Sequence, residues 1–516
     1  PDDRYAQATV MGDKSQGVEN AYLNWMSSVT SSLFEVEMGH LMYSNLTEKK
    51  KTAGFDLEYP FTVGGNKQTV KAGYLGTFRN ADFQQKYLHA MFPLKPSNAS
   101  PEEMQEYERQ WAAYQELSNS HPNLQELYDP RNFGSGAIYY ASSGVQGSEG
   151  AEYYEGSQHI HAAYLMGEFS FLRRFHLTAG FRMEDATTDV RTKVKQKADS
   201  LVTVKKTDWL PAATLVYNIT DNFNARFAYS RTIARPDFRE LTPCMYYNVD
   251  DRITVIGTSQ IKQSFTDNYD LRLEWYPAPG EVVSVSAFYK KFNLPVENVT
   301  YKTSDGNYKL YPFNLDESTV KGIELNVRKS LGFLAPGSFL KDIYLSGNAT
   351  LLKGDVKYDM GQLLTSVFGG EKDKNGTGDR NRPLQGLAPY TVNAGLAYQG
   401  SIFGAAVNYG RNGRKLLFAG LYEKYDQYEA SRDVLDLQIS ARLLKSRMEI
   451  KFNASDLLNQ DIIVYQNCSP SKTDRDPAND KAYVDLTSDM NYNSGDWVLS
   501  RIKKGVNLSL SVSYKF

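Results

Sequence analysis

Cysteine is nearly missing from this chain of 516 residues: Cys244 and Cys468 are the whole supply. No disulfide framework organises a chain this size from two thiols, and a single bridge or two free thiols both stay open. Charge of one sign is missing too. Lys and Arg number 58 and Asp and Glu 60, a formal net charge of −2, without the basic excess of nucleic-acid binders. No run of 18 apolar residues occurs and mean hydropathy is −0.50, so no transmembrane helix is written here. Neither fact bears on a β-barrel, whose lipid face hides in alternation. Pro1-Asp2-Asp3-Arg4 is no signal peptide. The chain has no G-x-S-x-G elbow, Walker A loop or H-E-x-x-H, and so no enzymatic signature. What it has is aromatic side chains, 36 Tyr and 25 Phe among them.

The hydrophobic period is two. Val506, Leu508, Leu510, Val512, Tyr514 and Phe516 alternate without a break with Asn507, Ser509, Ser511, Ser513 and Lys515. That run is as long as a tilted membrane strand. The same pattern appears at Leu177, Ala179 and Phe181, at Leu271, Leu273 and Trp275, at Ile323, Leu325 and Val327, and at Leu435, Leu437 and Ile439. Fifteen strands are expected, near 52–61, 67–79, 159–171, 175–189, 206–218, 223–233, 262–276 and 281–292. The others lie near 318–330, 339–354, 387–399, 402–413, 432–444, 447–457 and 504–516. Strands of ten residues or more exceed the five or six usual in soluble proteins, and charged residues on the polar face suit a wet lumen.

Connections alternate between short and long. Val63-Gly64-Gly65-Asn66 and Pro277-Ala278-Pro279-Gly280 are tight turns; 80–158, 234–261, 355–386 and 458–503 are long loops. Short turns on the periplasmic side and long loops outside are the layout of an outer-membrane barrel. The fold class is therefore all-β, a transmembrane antiparallel β-barrel with long extracellular loops. Residues 52–516 form the barrel, and 1–51 are expected to lie in an extracellular loop region. Fifteen is odd, and barrels of this kind close on an even number, which places early strands outside this sequence.

Several segments resemble the TonB-dependent outer-membrane receptors. They are Tyr229-Ser230-Arg231-Thr232-Ile233-Ala234-Arg235-Pro236-Asp237-Phe238-Arg239-Glu240-Leu241, and Asn314 through Val327 with Lys321-Gly322-Ile323-Glu324-Leu325 inside it. Arg382 through Asn393 with Pro389-Tyr390, Asn453-Ala454-Ser455-Asp456-Leu457-Leu458-Asn459, and the terminal aromatic Phe516 complete the set. The resemblance covers most of 52–516. It implies about 22 strands around an N-terminal plug, so that the plug and about seven early strands are partners of this chain, in the same protein or as a separate fragment. It further implies the TonB complex as a partner acting through the plug, outer-membrane lipids around the wall, no cofactor, and import of a bulky scarce nutrient: siderophore, haem, cobalamin, glycan or peptide. A passive porin and an outer-membrane adhesin or enzyme are the alternatives.

Candidate ligand contacts fall in the loops. Ser100-Pro101-Glu102-Glu103 reads as a capping box opening a helix near 101–117, with Met104, Tyr107, Trp111, Tyr114 and Leu117 along one face. That stripe either packs on neighbouring loops or offers Trp111 and Tyr114 to a ligand or a surface lipoprotein. Tyr246, Tyr247 and Arg252, and Tyr422 and Tyr425, could stack a flat or sugar-like ligand, or belong to the aromatic rim. Glu371, Asp373, Asn375 and Asp379 fit the opening of a calcium loop, but Arg382 stands where its bidentate Glu is required. His159 and His161 share one strand face, as rim or lumen residues or as ligands for a metal or haem.

Overall fold

The computed structural model describes residues 40–91, 93, 99–121, 127, 129–133, 137–142, 151–194, 199–248, 253–302, 308–357, 382–420, 425–466, 492 and 496–516. It opens with β1 (His40–Val63) and β2 (Asn66–Met91), joined by Gly64 and Gly65 at φ 59° and 83°. Helix α1 (Pro101–Ser120) and β3 (Tyr139–Ser142) precede β4 (Ala151–Phe171), β5 (Phe175–Val194), β6 (Asp199–Thr220) and β7 (Phe223–Ala234). Next come β8 (Met245–Asn248), β9 (Ile253–Ile256), β10 (Ser264–Trp275), β11 (Val282–Asn293), β12 (Val296–Lys302) and β13 (Tyr308–Asn314). These lead to β14 (Glu317–Ser330), β15 (Ile343–Lys357), β16 (Tyr390–Gln399), β17 (Phe403–Asn412), β18 (Lys415–Gly420) and β19 (Gln427–Glu429). The chain ends with β20 (Arg432–Leu443), β21 (Met448–Ser455), β22 (Ile462–Gln466), β23 (Trp497–Ile502) and β24 (Asn507–Tyr514).

One 16-stranded sheet forms the wall, in the order β1-β2-β4-β5-β6-β7-β10-β11-β14-β15-β16-β17-β20-β21-β24, with β3 pairing β2 off this path. Each strand on the path carries one of the fifteen expected segments, and every neighbour along it is antiparallel. Among the described residues, the far edges of β1 and β24 have no partner strand.

Register makes the period visible across the sheet. Leu177, Leu215, Phe227, Leu271, Ala287, Ile323 and Leu351 are direct cross-strand partners in one row from β5 to β15. Leu271, Ile323 and Leu351 are more than half exposed, which only a lipid-facing surface makes favourable. Tyr229, Tyr269 and Tyr289 follow two residues further along their strands, with ring centroids 5.1 and 6.2 Å apart. They are a girdle where chain meets headgroups. The opposite face is polar: Arg226, Arg272, Ser286, Glu324, Thr350 and Thr391 make one row. Arg226 and Arg272 sit directly opposite each other, and both reach Glu274, at 3.5 and 2.8 Å. That carboxylate offsets the repulsion of like charges on neighbouring strands.

The strands near the start of the path run further than the alternation indicates. β1 begins at His40 and β2 continues to Met91, inside segments expected to be external loop. The reason is an inversion of polarity. Along β5, Leu177 and Phe181 face lipid; higher up the same face carries Asp185, Asp189 and Arg191, while Ala186 and Val190 are buried on the lumen side. Above the membrane, apolar residues turn inward to a core of Ala81, Phe83, Tyr154, Val190, Phe238 and Leu241. Phe238 fits where Gly156 has no side chain: a Cβ there would lie 2.5 Å from the ring.

Phe238→Ala is expected to cost about 3 kcal/mol through the cavity it leaves, read as a lower urea midpoint. Gly156→Leu should prevent the folded form from accumulating on unheated gels, and adding Phe238→Ala should restore it.

Candidate ligand-binding mouth

Where β7 ends, Pro236 has no N–H to give the ladder and the chain turns into the lumen. Arg235 thereby reaches across the wall. Its Nη1 donates to Glu184 Oε2 of β5 at 2.7 Å and its Nη2 to Asp208 Oδ2 of β6 at 3.1 Å. Arg182 Nε donates to the other oxygen of Glu184 at 2.6 Å, and Gln263 Nε2 to the other oxygen of Asp208 at 2.8 Å. Two cations thus meet two carboxylates, and Asp208 is 3% exposed. Low surrounding polarity makes such a network costly to leave incomplete.

The next residues lock the turn. Asp237 Oδ1 accepts from Arg79 Nη1 at 2.9 Å, and Arg79 grips Glu48 with two bonds of 2.7 and 2.8 Å. The Arg79 guanidinium lies 4.6 Å from the centre of Phe238, and that of Arg239 lies 4.7 Å from the centre of Phe83. Gly257 packs on the carbonyls of Arg239, Glu240 and Thr242 so closely that a Cβ would collide with all three. Cys244 is buried beside this core and its Sγ donates to Tyr153 O at 3.5 Å. Burial pushes its thiol up from the ordinary range.

Higher still, the long loops fold into a second sheet, in the order β23-β22-β19-β18-β12-β13-β9-β8. Each of four loops contributes one hairpin. Parallel pairings join hairpin to hairpin, β13 to β9 and β12 to β18, while β19 pairs β22 antiparallel. Side chains reinforce the seams. Arg382 Nη2 bonds Glu297 Oε2 at 2.5 Å with both side chains almost wholly buried, and Gln385 N donates to Glu297 Oε1 at 2.8 Å. Tyr308 Oη donates to Gln466 Oε1 at 3.2 Å, and Arg414 lies 5.0 Å above the Tyr428 ring. Below this sheet, the lumen face of β14–β17 forms a groove of about 480 Å³ bordered by Asn326, Asn348, Asn393, Asn408 and Asp436. Asn393 Nδ2 donates to Asn348 Oδ1 at 2.8 Å. Amides both donate and accept, so this surface can hydrogen-bond polar groups of either kind.

The expected contacts separate on inspection. α1 forms as read, with Ser100 and Glu103 exchanging capping bonds of 3.2 and 2.8 Å. Tyr114, however, is buried against Leu127, Ala137 and Ile138, and Trp111 packs on it at 5.4 Å. Trp111, Tyr114 and Leu117 of the stripe therefore pack into a core within their own loop. Tyr246 and Tyr247 lie on β8, paired with Val255 and Thr254; Tyr425 is half-buried before β19. Arg252, Tyr422, Cys468 and the calcium candidates Glu371, Asp373, Asn375 and Asp379 fall outside the described residues. Arg382 is committed to Glu297. His159 and His161 face outward, not into the lumen: both pack edge-on to Phe78, and His161 Nδ1 is 2.7 Å from Tyr74 Oη. No cluster of metal-ligating side chains occurs among the described residues. Arg79, Glu184, Asp208 and Gln263 were missed as a group, although 184 and 208 share the polar face of their strands.

A family model described as TonB dependent receptor-like, beta-barrel, matches residues 5–457. The chain belongs to this family. Its members are outer-membrane receptors and transporters, not enzymes, and this wall is a transmembrane barrel wall of the bacterial outer membrane. Among solved structures, the chain is similar to the ferric citrate transporter FecA in its unliganded form, with a TM-score of 0.57 and 12% identity over 92% of this chain and 56% of that one. It is also similar to the ferric yersiniabactin uptake receptor FyuA of Yersinia pestis, with a TM-score of 0.51 and 10% identity over 93% and 56%. The siderophore receptor PiuA of Acinetobacter baumannii gives a TM-score of 0.51 and 10% identity over 83% and 53%. The chain thus spans little more than half the length of these structures. Comparison with curated protein sequences gives no match.

Arg235→Ala removes the cation from buried Asp208 and one of the two that hold Glu184, and should cost about 3–5 kcal/mol, seen as a lower urea midpoint. Arg235→Lys should recover little, since one ammonium replaces a fork. In a Cys468→Ser background, iodoacetamide at pH 8 should leave Cys244 unlabelled until the protein is unfolded.

Proposed function

We propose that this chain is the larger part of the barrel of a TonB-dependent transporter, which captures a bulky scarce nutrient at its loops and admits it to the periplasm. The observation that carries this reading is the pairing of two surfaces: a lumen wall lined with polar groups, and above it a second sheet knitting four loops into one rim. Among the described residues the far edges of β1 and β24 are unpaired, which supports further strands as partners of this chain, and a plug engaged by the TonB complex would supply gating. The names of FecA, FyuA and PiuA concern iron chelates, so ferric siderophores and ferric citrate come first among ligands to try, ahead of haem, cobalamin, glycans and peptides. Tyr246, Tyr247, Arg252, Tyr422 and Tyr425 are the proposed contacts, from their place on the loops.

Deleting the gene should reduce uptake of at least one labelled ferric chelate about tenfold or more, and loss of TonB should do the same. Tyr425→Ala should weaken its binding about tenfold, or 1.4 kcal/mol. Uptake that persists without TonB, with large steady conductance in planar bilayers, would establish a passive pore instead.

A further inference from the structure

Seven short connections close the periplasmic end of the wall, and three of them depart from ordinary turn chemistry. Between β1 and β2 the left-handed positions are glycines. Between β4 and β5 they are Leu172 and Arg173, at φ 51° and 60°. Between β20 and β21 they are Leu444, Lys445 and Ser446, at φ 53°, 55° and 66°. L side chains resist this region, and Asn-Gly or Gly-Gly serves such turns without strain. The side chains, not the backbone, must be what these positions require.

Those side chains share a character. Leu172 is 76% exposed and Leu444 62%, and each is followed at once by a basic residue. The third connection, between β14 and β15, reaches the same composition by another route. Two short 3-10 turns capped by Ser330 and Ser338 are closed by Ser330 Oγ donating to Lys341 O at 2.9 Å. This compact knob holds Phe333, Leu334 and Phe339 outward at 60%, 63% and 66% exposure. Arg173, Lys341, Lys445 and Arg447 are exposed and form no ion pair among the described residues. Arg174 instead donates to Ile219 O at 2.7 Å, and Lys329 holds Glu281 at 2.5 Å. Asp342 is the one acid within residues 172–174, 331–342 and 444–447.

We propose that these three turns anchor the barrel in the periplasmic leaflet. Leu172, Leu444 and the Phe333–Phe339 knob enter the acyl boundary, and Arg173, Lys341, Lys445 and Arg447 hold phosphates of anionic phospholipids. Two features select lipid as the occupant. Phe171, Ile402 and Phe403 are likewise exposed where their strands meet this end of the wall, and the unpaired charge is mainly basic, four cations against Asp342, complementary to anionic headgroups.

The test uses the native complex extracted from the outer membrane and reconstituted in phosphatidylethanolamine with phosphatidylglycerol. An NBD fluorophore on Leu334→Cys, in a Cys468→Ser background, should emit in the blue and be quenched by bromine-labelled acyl chains. In native mass spectra, the combined change Arg173→Gln, Lys341→Gln, Lys445→Gln and Arg447→Gln should lower retained phosphatidylglycerol relative to phosphatidylethanolamine roughly fivefold. Leu172→Gly relieves the strained backbone while removing the side chain, so it should keep the folded form yet retain less lipid. Quenching by aqueous iodide in place of bromolipid would place the knob in water and overturn the proposal. An unchanged lipid ratio in the quadruple variant would overturn it as well.

Discussion

Within a bilayer, no water satisfies a backbone amide, so each N–H and C=O must find its partner in a neighbouring strand. That constraint orders the rest of this protein. It demands the antiparallel path from β1 to β24, and the path imposes a period of two on every strand. The period separates a face that tolerates Leu271 and Ile323 from one that keeps Arg272 and Glu324 wet. A row of seven apolar partners from Leu177 to Leu351 is the result.

The wall was legible because this rule is local: every other residue reports its side. Where the environment changes, the rule changes sign, and there the strand ends were misread. Asp185 and Asp189 continue the outer surface of Leu177 and Phe181 into water, while Ala186 and Val190 take over burial on the inside, and β5 runs on to Val194, past the expected end at 189. Alternation persists through the crossing; only its meaning reverses. The hairpins of the second sheet escaped for a related reason. Strands such as Gln427–Glu429 and Ile462–Gln466 are too short for their pattern to stand out, and their partners belong to other loops, a relation no single window of sequence contains.

The mouth was legible in its motif and not in its network. The Arg235-Pro236-Asp237-Phe238 signature marks the place, but its meaning lies in residues from β1, β2, β5 and β6: Glu48, Arg79, Glu184 and Asp208. Each is an ordinary charged residue on a polar face until register brings them level. Trp111 and Tyr114 show a different limit. Helical spacing found their face correctly, and nothing in the spacing says whether that face meets a ligand or, as here, Leu127 and Ile138.

The parallel bridges between loop hairpins rest on backbone pairing: Val299 and Thr300 against Ala419 and Gly420, and Tyr308 to Leu310 against Ile253 to Val255. Backbone pairs do not read side chains. Side chains enter the frame only at particular points of the seams, at Glu297, Thr300 and Tyr308. Side chains that point away from those seams are the ones whose replacement leaves the outline of the rim in place.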